Sequence, residues 1–352
     1  MPSPALQYTE LSTTAQTAYA QLLEAALTTE HLRGVADLSG SFAAKSVRGA
    51  KYWYFQFTEP SGKLRQIFVG PDTAAVRALM SRKTQPAATA GLGPLARACA
   101  ALGCAEVLPR HVRVLNRLAE YGFFRAGGVL IGTHAFLAFG NMLGVKWGDA
   151  SRTQDIDFAH AGKRLSIALP GDVKVNMHDA ITSLEMGLLP VASLSAKAGA
   201  TYLNPREPEF RLDFLTPLHR AGEKPYEHPQ LGVTLQPLKF MEFSLEQVQQ
   251  AVLFSGERCV VVNVPQPARY ALHKLLVYGE REGSFATKAG KDLRQVGLLL
   301  AYLKEHRPAE TLRAWAGLIS RGPGWIKRAR LGLTALDKLT PYLRVKTWLK
   351  FK

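Results

Sequence analysis

The amino-acid sequence predicts an α+β fold, and three features predict it. An apolar run, Gly128-Val129-Leu130-Ile131, reaches a Gly132-Thr133 turn, is followed by a helix-like segment, and leads to Asp155-Ile156-Asp157-Phe158 in a β-like setting. An aromatic, β-prone hairpin precedes this centre. A mainly helical half with a basic end follows it. The chain therefore divides into an N-terminal helix and β-hairpin region (1–108), a core with a mixed β-sheet flanked by helices (109–240), and a mainly helical C-terminal region with a basic tail (241–352).

Each element has its own signal. Leu22, Leu23, Ala26 and Leu27 recur on one apolar side and predict a helix over residues 11–34. Lys51 to Phe57 and Leu64 to Val69 predict two strands around the turn Glu59-Pro60-Ser61-Gly62-Lys63. Gly70-Pro71-Asp72-Thr73 stops the second strand and caps a helix from Ala74 to Arg82. Gln85 to Gly93 is rich in Ala, Gly and Pro and reads as a linker. Helices are expected over Leu95 to Leu102 and Arg110 to Tyr121, then strand, turn, helix and strand over Phe124 to Phe158. Gly162 to Pro208 mixes short apolar pieces with turn residues and defines no clear element. Phe210 to Leu215 reads as a strand closed by Thr216-Pro217. From Leu245 onward helices dominate, apart from one strand over Arg258 to Val264. Pro265 and Pro267 end that strand and introduce a helix from Ala268 to Gly279, and another helix runs over Lys291 to Glu305.

Composition narrows the class. A 47% hydrophobic fraction argues against general disorder. The N-terminus, Met1-Pro2-Ser3-Pro4, lacks the features of a secretory signal, and no apolar run is long enough to span a bilayer. Three cysteines, Cys99, Cys104 and Cys259, make no Cys-x-x-Cys pair and no disulfide framework, so a reducing, cytoplasmic setting without structural zinc is expected. The net charge of +16 points to a polyanionic partner, nucleic acid first. That excess is strongest from Arg321 to Lys352, where Trp325, Tyr342, Trp348 and Phe351 lie among the bases. Such a run suits backbone attraction plus base stacking, or else its aromatics form the apolar side of a terminal helix.

The chemistry concentrates on few residues. Asp155 and Asp157, at i and i+2 on a strand, share one face, and like charges held that close call for a cation. Asp213, flanked by Leu212 and Phe214, is the third acid if its strand pairs beside theirs; an ion pair with Arg211 is the bland alternative. Three converging carboxylates could hold two Mg²⁺ ions, with Mn²⁺ as a substitute, bridging an attacking hydroxyl, a nucleotide phosphate and a leaving pyrophosphate. Gly132 lets the backbone approach a phosphate, and Thr133 offers a hydroxyl and an N–H where a helix N-terminus favours anions. His134 reads as a packed or capping histidine.

On these residues the chain resembles the nucleotidyltransferase superfamily related to DNA polymerase β. It is most similar to bacterial uncharacterised nucleotidyltransferase-fold proteins and to the toxin-like, abortive-infection branch. Gly132-Thr133 and Asp155-x-Asp157 look like the family's first motif, and Asp213 like its later carboxylate. Thr133 departs from the usual Ser or Gly but keeps a hydroxyl. Pro265-x-Pro267-x-Arg269-Tyr270-Ala271-Leu272-His273-Lys274-Leu275 looks like its helical lysine motif, and Lys288-x-x-Lys291-Asp292-Leu293-x-Gln295 like its terminal Lys-Asp motif. The aromatic hairpin Tyr52-Trp53-Tyr54 with Gly70-Pro71-Asp72 also fits the uncharacterised group, so the likeness spans Lys51 to Arg307.

The resemblance implies a nucleotidyltransferase core. Asp155, Asp157 and Asp213 would be catalytic and metal-binding, and Gly132, Thr133, Lys274, Lys291 and Asp292 would bind nucleotide. It implies metal-dependent transfer of NMP from an NTP to a hydroxyl. The basic charge favours an RNA acceptor such as a tRNA 3′ end, and the toxin-like branch suggests a toxin with an antitoxin protein as partner. The alternatives are a non-catalytic RNA- or protein-binding module on the same fold and an enzyme that AMPylates protein.

Overall fold

The structure is a computed structural model and describes residues 8–32, 41–58, 64–84, 91–148, 153–161, 176–192, 198–218, 224–229, 231–280 and 286–350. The expected hairpin turn at 59–63 and the linker at 85–90 lie outside the described residues.

The N-terminal part begins with β1 (Thr9–Glu10) and α1 (Thr13–Leu32). Strands β2 (Ser41–Val47), β3 (Ala50–Thr58) and β4 (Leu64–Pro71) then form an antiparallel three-stranded sheet, followed by α2 (Ala74–Thr84) and α3 (Leu92–Ala101). Thr73 caps α2 as its sequence predicts, with the Val76 N–H donating to Oγ1 at 3.3 Å. Gly91 to Gly93, expected in the linker, join α3 instead or lead into it. Strand β2 had no sequence signal. It is defined by pairing along its whole length with β3.

The central part holds α4 (Pro109–Glu120), β5 (Val129–Leu130), α5 (Gly132–Leu143), β6 (Val145–Lys146) and β7 (Ile156–Ala159). It continues with α6 (Met177–Thr182), β8 (Leu189–Ala192), β9 (Ala198–Asn204), β10 (Glu207–Pro217), β11 (Tyr226–His228) and β12 (Val233–Leu238). A seven-stranded mixed sheet runs β11-β12-β10-β7-β5, with β9 also against β10 and β8 beyond it. Strand β10 is parallel to β7 and β12 and antiparallel to β9, while β5 is antiparallel to β7. The ambiguous stretch from Gly162 to Pro208 thus yields α6, β8, β9 and the start of β10 within its described residues.

The C-terminal part contains α7 (Met241–Leu245), β13 (Val248–Ser255), β14 (Arg258–Pro265), α8 (Pro267–Glu280), α9 (Ala286–His306), α10 (Pro308–Ile319), α11 (Pro323–Leu339), a short 3₁₀ turn at Pro341–Leu343 and α12 (Val345–Trp348). The sequence predicts one strand here, but there are two, β13 and β14, paired over their full length. Ala251 to Phe254 are all buried, so β13 lacks the alternation that marks a half-exposed strand.

One continuous core runs from Val107 to Leu349 and includes the inner face of the large sheet and helices α4, α5, α8, α9, α10 and α11. A second cluster packs α1 and α3 against Val252 and Phe254 of β13. Within it the buried Tyr19 hydroxyl donates to the Val252 carbonyl and accepts from the Val252 N–H, both at 3.1 Å. In the basic tail, Trp325 packs edge-on against Phe240, with ring centres 4.6 Å apart, and Trp348 packs on the main core. Those two aromatics are the apolar side of terminal helices; Tyr342 is exposed, and Phe351 lies outside the described residues.

Candidate functional site

The acids come together through strand register. Leu212 of β10 lies beside Ile156 of β7, and Asp213 lies beside Asp157. In parallel strands paired this way, side chains at equal register share a face. The inward face carries Ile156, Phe158, Leu212 and Phe214, each at most 1% exposed, with Phe158 stacked on Phe214 at 5.1 Å. Asp157 and Asp213 are therefore left on the outward face. Two residues back along each strand, Asp155 and Arg211 extend the same face. The result is a patch with two acids on one strand line and an arginine and an acid on the next.

Hydrogen bonds and charge hold this patch. The Arg211 guanidinium stands 3.8 Å from Asp155 Oδ2 and 3.3 Å from Asp213 Oδ2. Thr201, in register with Asp213 on β9, donates from Oγ1 to Asp213 Oδ1 at 2.6 Å. Thr153 donates to the Asp155 carboxylate. Among the described residues no three His, Cys, Asp or Glu side chains gather closely enough to hold a metal ion as they stand. Here Arg211 is the cation between two of the carboxylates. The three acids offer the hard oxygen donors that suit Mg²⁺ or Mn²⁺.

The Gly132-Thr133 turn abuts the patch. The Ile131 N–H donates to the Asp157 carbonyl at 2.9 Å, placing the entry to α5 beside β7. Gly132 has φ +61°, and a Cβ there would overlap the Asp157 carboxylate, lying 2.8 Å from its Cγ. Only glycine permits this close approach. Thr133 is buried at the first turn of α5.

The helical half fixes that turn from behind. The buried Tyr270 hydroxyl of α8 donates to the Gly132 carbonyl at 2.8 Å and lies 3.2 Å from Gln295 Oε1 of α9. Gln295 Nε2 donates to Thr133 Oγ1 at 3.3 Å. Burial, then the nearby Asp292 and Asp157 carboxylates, push the Tyr270 phenol well above its usual pKa, so it stays a donor. Lys274 is ion-paired with Asp292, both largely buried. Lys291 interacts by charge with Asp155, Asp292 and Asp157. Burial lowers its pKa, while Asp155, its strongest charged neighbour, works in the opposite direction. His134 is buried as expected, with Nε2 2.9 Å from His111 Nδ1. Burial, reinforced by each histidine's positive neighbours, pushes His111 down to about 4 and His134 to about 3.

A cavity of about 480 Å³ opens from Asp157 and Asp213. Leu215, Pro237, Leu238, Phe240 and Val277 form apolar walls, and Gln236 adds an amide. At the rim, Glu280 accepts from Lys239 at 2.7 Å and from Arg328 at 2.5 Å, which lowers its pKa. Phe240 sits at φ +66°, a left-handed conformation uncommon for an aromatic residue. Its ring is fixed against Trp325.

Asp157 and Asp213 thus lie side by side against Gly132 and the buried Thr133, with Asp155 tied to Asp213 through Arg211, while Lys274 and Asp292 form a buried pair and Lys291 acts on the acids by charge. Thr201, Gln236 and Phe240 gave no sequence signal. Arg211 forms the ion pair with Asp213 that its place in the sequence suggested. Tyr270 and Gln295 lie inside the two helical motifs without a sequence-derived role.

A family model described as a nucleotidyltransferase matches residues 109–320, more than half of the 352-residue chain. A solved structure titled as an antigenic nucleotidyltransferase-like protein from Paracoccidioides brasiliensis is 15% identical, covering 64% of this chain and 95% of that one at a TM-score of 0.31. No curated protein matches the chain. With a family model spanning β5, β7 and β10 and the helices that brace them, the chain belongs to the nucleotidyltransferase family.

Proposed function

We propose that this protein transfers a nucleoside monophosphate from an NTP to a hydroxyl acceptor, with release of pyrophosphate. The observation that carries the reading is the in-register pair Asp157 and Asp213, set against a Gly132 turn where any side chain would collide with Asp157 and opening into a cavity of about 480 Å³. Asp155, Asp157 and Asp213 would hold two Mg²⁺ or Mn²⁺ ions. When bound, these would polarise the phosphoryl oxygens and stabilise charge on the leaving group.

The chain supplies the rest through position and charge. The N–H groups at the start of α5 and the charge of Lys291 face the phosphates, with the buried Lys274–Asp292 pair behind them. The cavity holds the nucleoside, with its apolar walls against the base and the Gln236 amide at one edge. Asp213, held by Thr201 on one oxygen, accepts the proton of the attacking hydroxyl. Arg211, which now contacts Asp155 and Asp213, would yield part of that contact to bound cations.

The +16 charge supports RNA, such as a tRNA 3′ end, as acceptor. The likeness to the toxin-like branch supports a toxin held in check by an antitoxin protein. Slowed growth on expression of wild type but not of Asp157→Ala would bear that out. The three unpaired cysteines fit a reducing cytoplasm, and among the described residues no helix is long and apolar enough to cross a membrane.

The test incubates purified protein with each labelled NTP, Mg²⁺ and total RNA. Label should enter one RNA class with one preferred NTP. Asp157→Asn should lower incorporation by at least about 100-fold, and EDTA should stop it. Undiminished incorporation by Asp157→Asn would overturn the assignment.

A further inference from the structure

The sheet β2-β3-β4 lies outside the matched family span and takes no part in the site. Its two faces differ. Phe55 points to one of them, is fully buried and packs edge-on against Phe42 with ring centres 5.3 Å apart. By register, the opposite face carries Lys45 of β2, Tyr52 and Tyr54 of β3, and Phe68 of β4. Tyr54 and Tyr52 lie 5.4 Å and 6.1 Å from Phe68, centre to centre. Phe68 is 56% exposed, which is unusual for a phenylalanine inside a strand.

Polar groups surround these rings. Lys45 Nζ lies 4.7 Å above the Tyr54 ring and donates to Gln66 Oε1 at 2.5 Å. Gln66 in turn donates to Gln56 Oε1 at 3.1 Å. Residues 41–84 carry eight Lys and Arg against two acids. An open sheet face with three clustered rings, a lysine among them and amides alongside offers stacking surface, backbone attraction and hydrogen-bonding edges together. Val47 and Leu64 at its ends are exposed too, but the local charge excess favours a polyanion over an apolar protein surface.

We propose that this face is a stacking platform for single-stranded RNA, with bases on Tyr54, Tyr52 and Phe68 and phosphates toward Lys45. The proposal rests on the reading that the acceptor is RNA and assigns the N-terminal sheet to holding it. A duplex keeps its bases stacked on each other and cannot use the rings, so the platform selects unpaired segments.

The test is fluorescence anisotropy of the full-length protein with a labelled single-stranded RNA 20-mer across a salt series. Tyr54→Leu and Phe68→Leu should each weaken binding about tenfold or more while leaving the salt slope unchanged. Tyr54→Phe, which keeps the ring, should bind like wild type. Lys45→Ala should lower the salt slope by about one. An RNA duplex of equal length should bind much more weakly. Circular dichroism and thermal melts confirm that each variant folds. The proposal is overturned if folded Tyr54→Leu and Phe68→Leu bind like wild type, if wild type fails to bind the single strand, or if the duplex binds as tightly. Failure of the catalytic reading shows separately. In that case Asp157→Asn still transfers NMP, while the binding series keeps its pattern.

Discussion

Replacing Gly132 by Ala joins the backbone to the chemistry in one substitution. At φ +61° a non-glycine residue costs about 1–2 kcal/mol for the left-handed backbone alone. The added Cβ also overlaps the Asp157 carboxylate, with its Cγ only 2.8 Å away. Forcing an atom into filled space costs a further ~1–3 kcal/mol unless the neighbour moves. The neighbour here is a proposed metal ligand, so relief by movement takes the carboxylate out of place. A displacement near 1 Å is worth about 100-fold in rate.

Gly148 makes the control. It has φ +60°, and nothing lies within 4 Å of a Cβ built there. Gly148→Ala therefore carries the backbone cost without the collision. Urea unfolding should show Gly148→Ala less stable than wild type by about 1–2 kcal/mol, with label transfer unchanged. Gly132→Ala should lose about 100-fold in transfer, together with either a further ~1–3 kcal/mol or, if Asp157 swings away, no further stability. Gly132→Ala within twofold of wild-type turnover would refute the claim that this turn and Asp157 occupy one site. Equal loss of activity in Gly148→Ala would refute the collision as its cause.

Three other outcomes follow from the same geometry. Thr201→Val removes the hydroxyl on Asp213 Oδ1 and should lower Mg²⁺-dependent transfer about tenfold with little change in melting temperature. Tyr270→Phe leaves the Gly132 carbonyl without that donor and should cost about 1–3 kcal/mol in chemical unfolding, with a matching fall in transfer. The buried His111–His134 pair should make stability pH-dependent. Both pKa values lie below 6.5 in the folded protein, so the unfolded chain takes up protons first as pH falls. Stability is full above pH 6.5 and falls toward pH 4, by up to about 1.4 kcal/mol per pH unit for each histidine. Unfolding midpoints across that range should flatten in His134→Leu, and an unchanged slope would refute the assignment.

Sequence spacing carried the acids because strand period is local information. Asp155 and Asp157 two apart must share a face, and apolar Ile156 and Phe158 say which face is buried. Asp213 needed one further assumption, that its strand lies beside theirs, and the pairing of Leu212 with Ile156 meets it. Thr201 could not be read this way. Its contact with Asp213 depends on β9 folding back with a register shift, inside a stretch without clear periodicity. Tyr270 and Gln295 reach the turn across 138 and 162 residues, and no local pattern encodes such a contact. Strand β13 was missed for a related reason, since burial on both faces erases the alternation that identifies a strand.

The basic tail and the N-terminal sheet show where composition stops being informative. Both interleave aromatics with Lys and Arg, and both fit a nucleic-acid surface or a packed face equally well. What separates them is coverage by the rest of the fold. Trp325 is packed between Phe240 and Phe243, with Arg321 lying 4.9 Å from its ring and ion-paired to Glu246. The Arg321 charge and the Trp325 ring are thus both taken up within the protein, while Tyr342 stays exposed. Phe68 keeps more than half its surface open beside Lys45. Trp325 is structural, whereas Phe68 is available. That difference belongs to tertiary packing, and the RNA contact we propose lies at the opposite end of the chain from the densest run of positive charge.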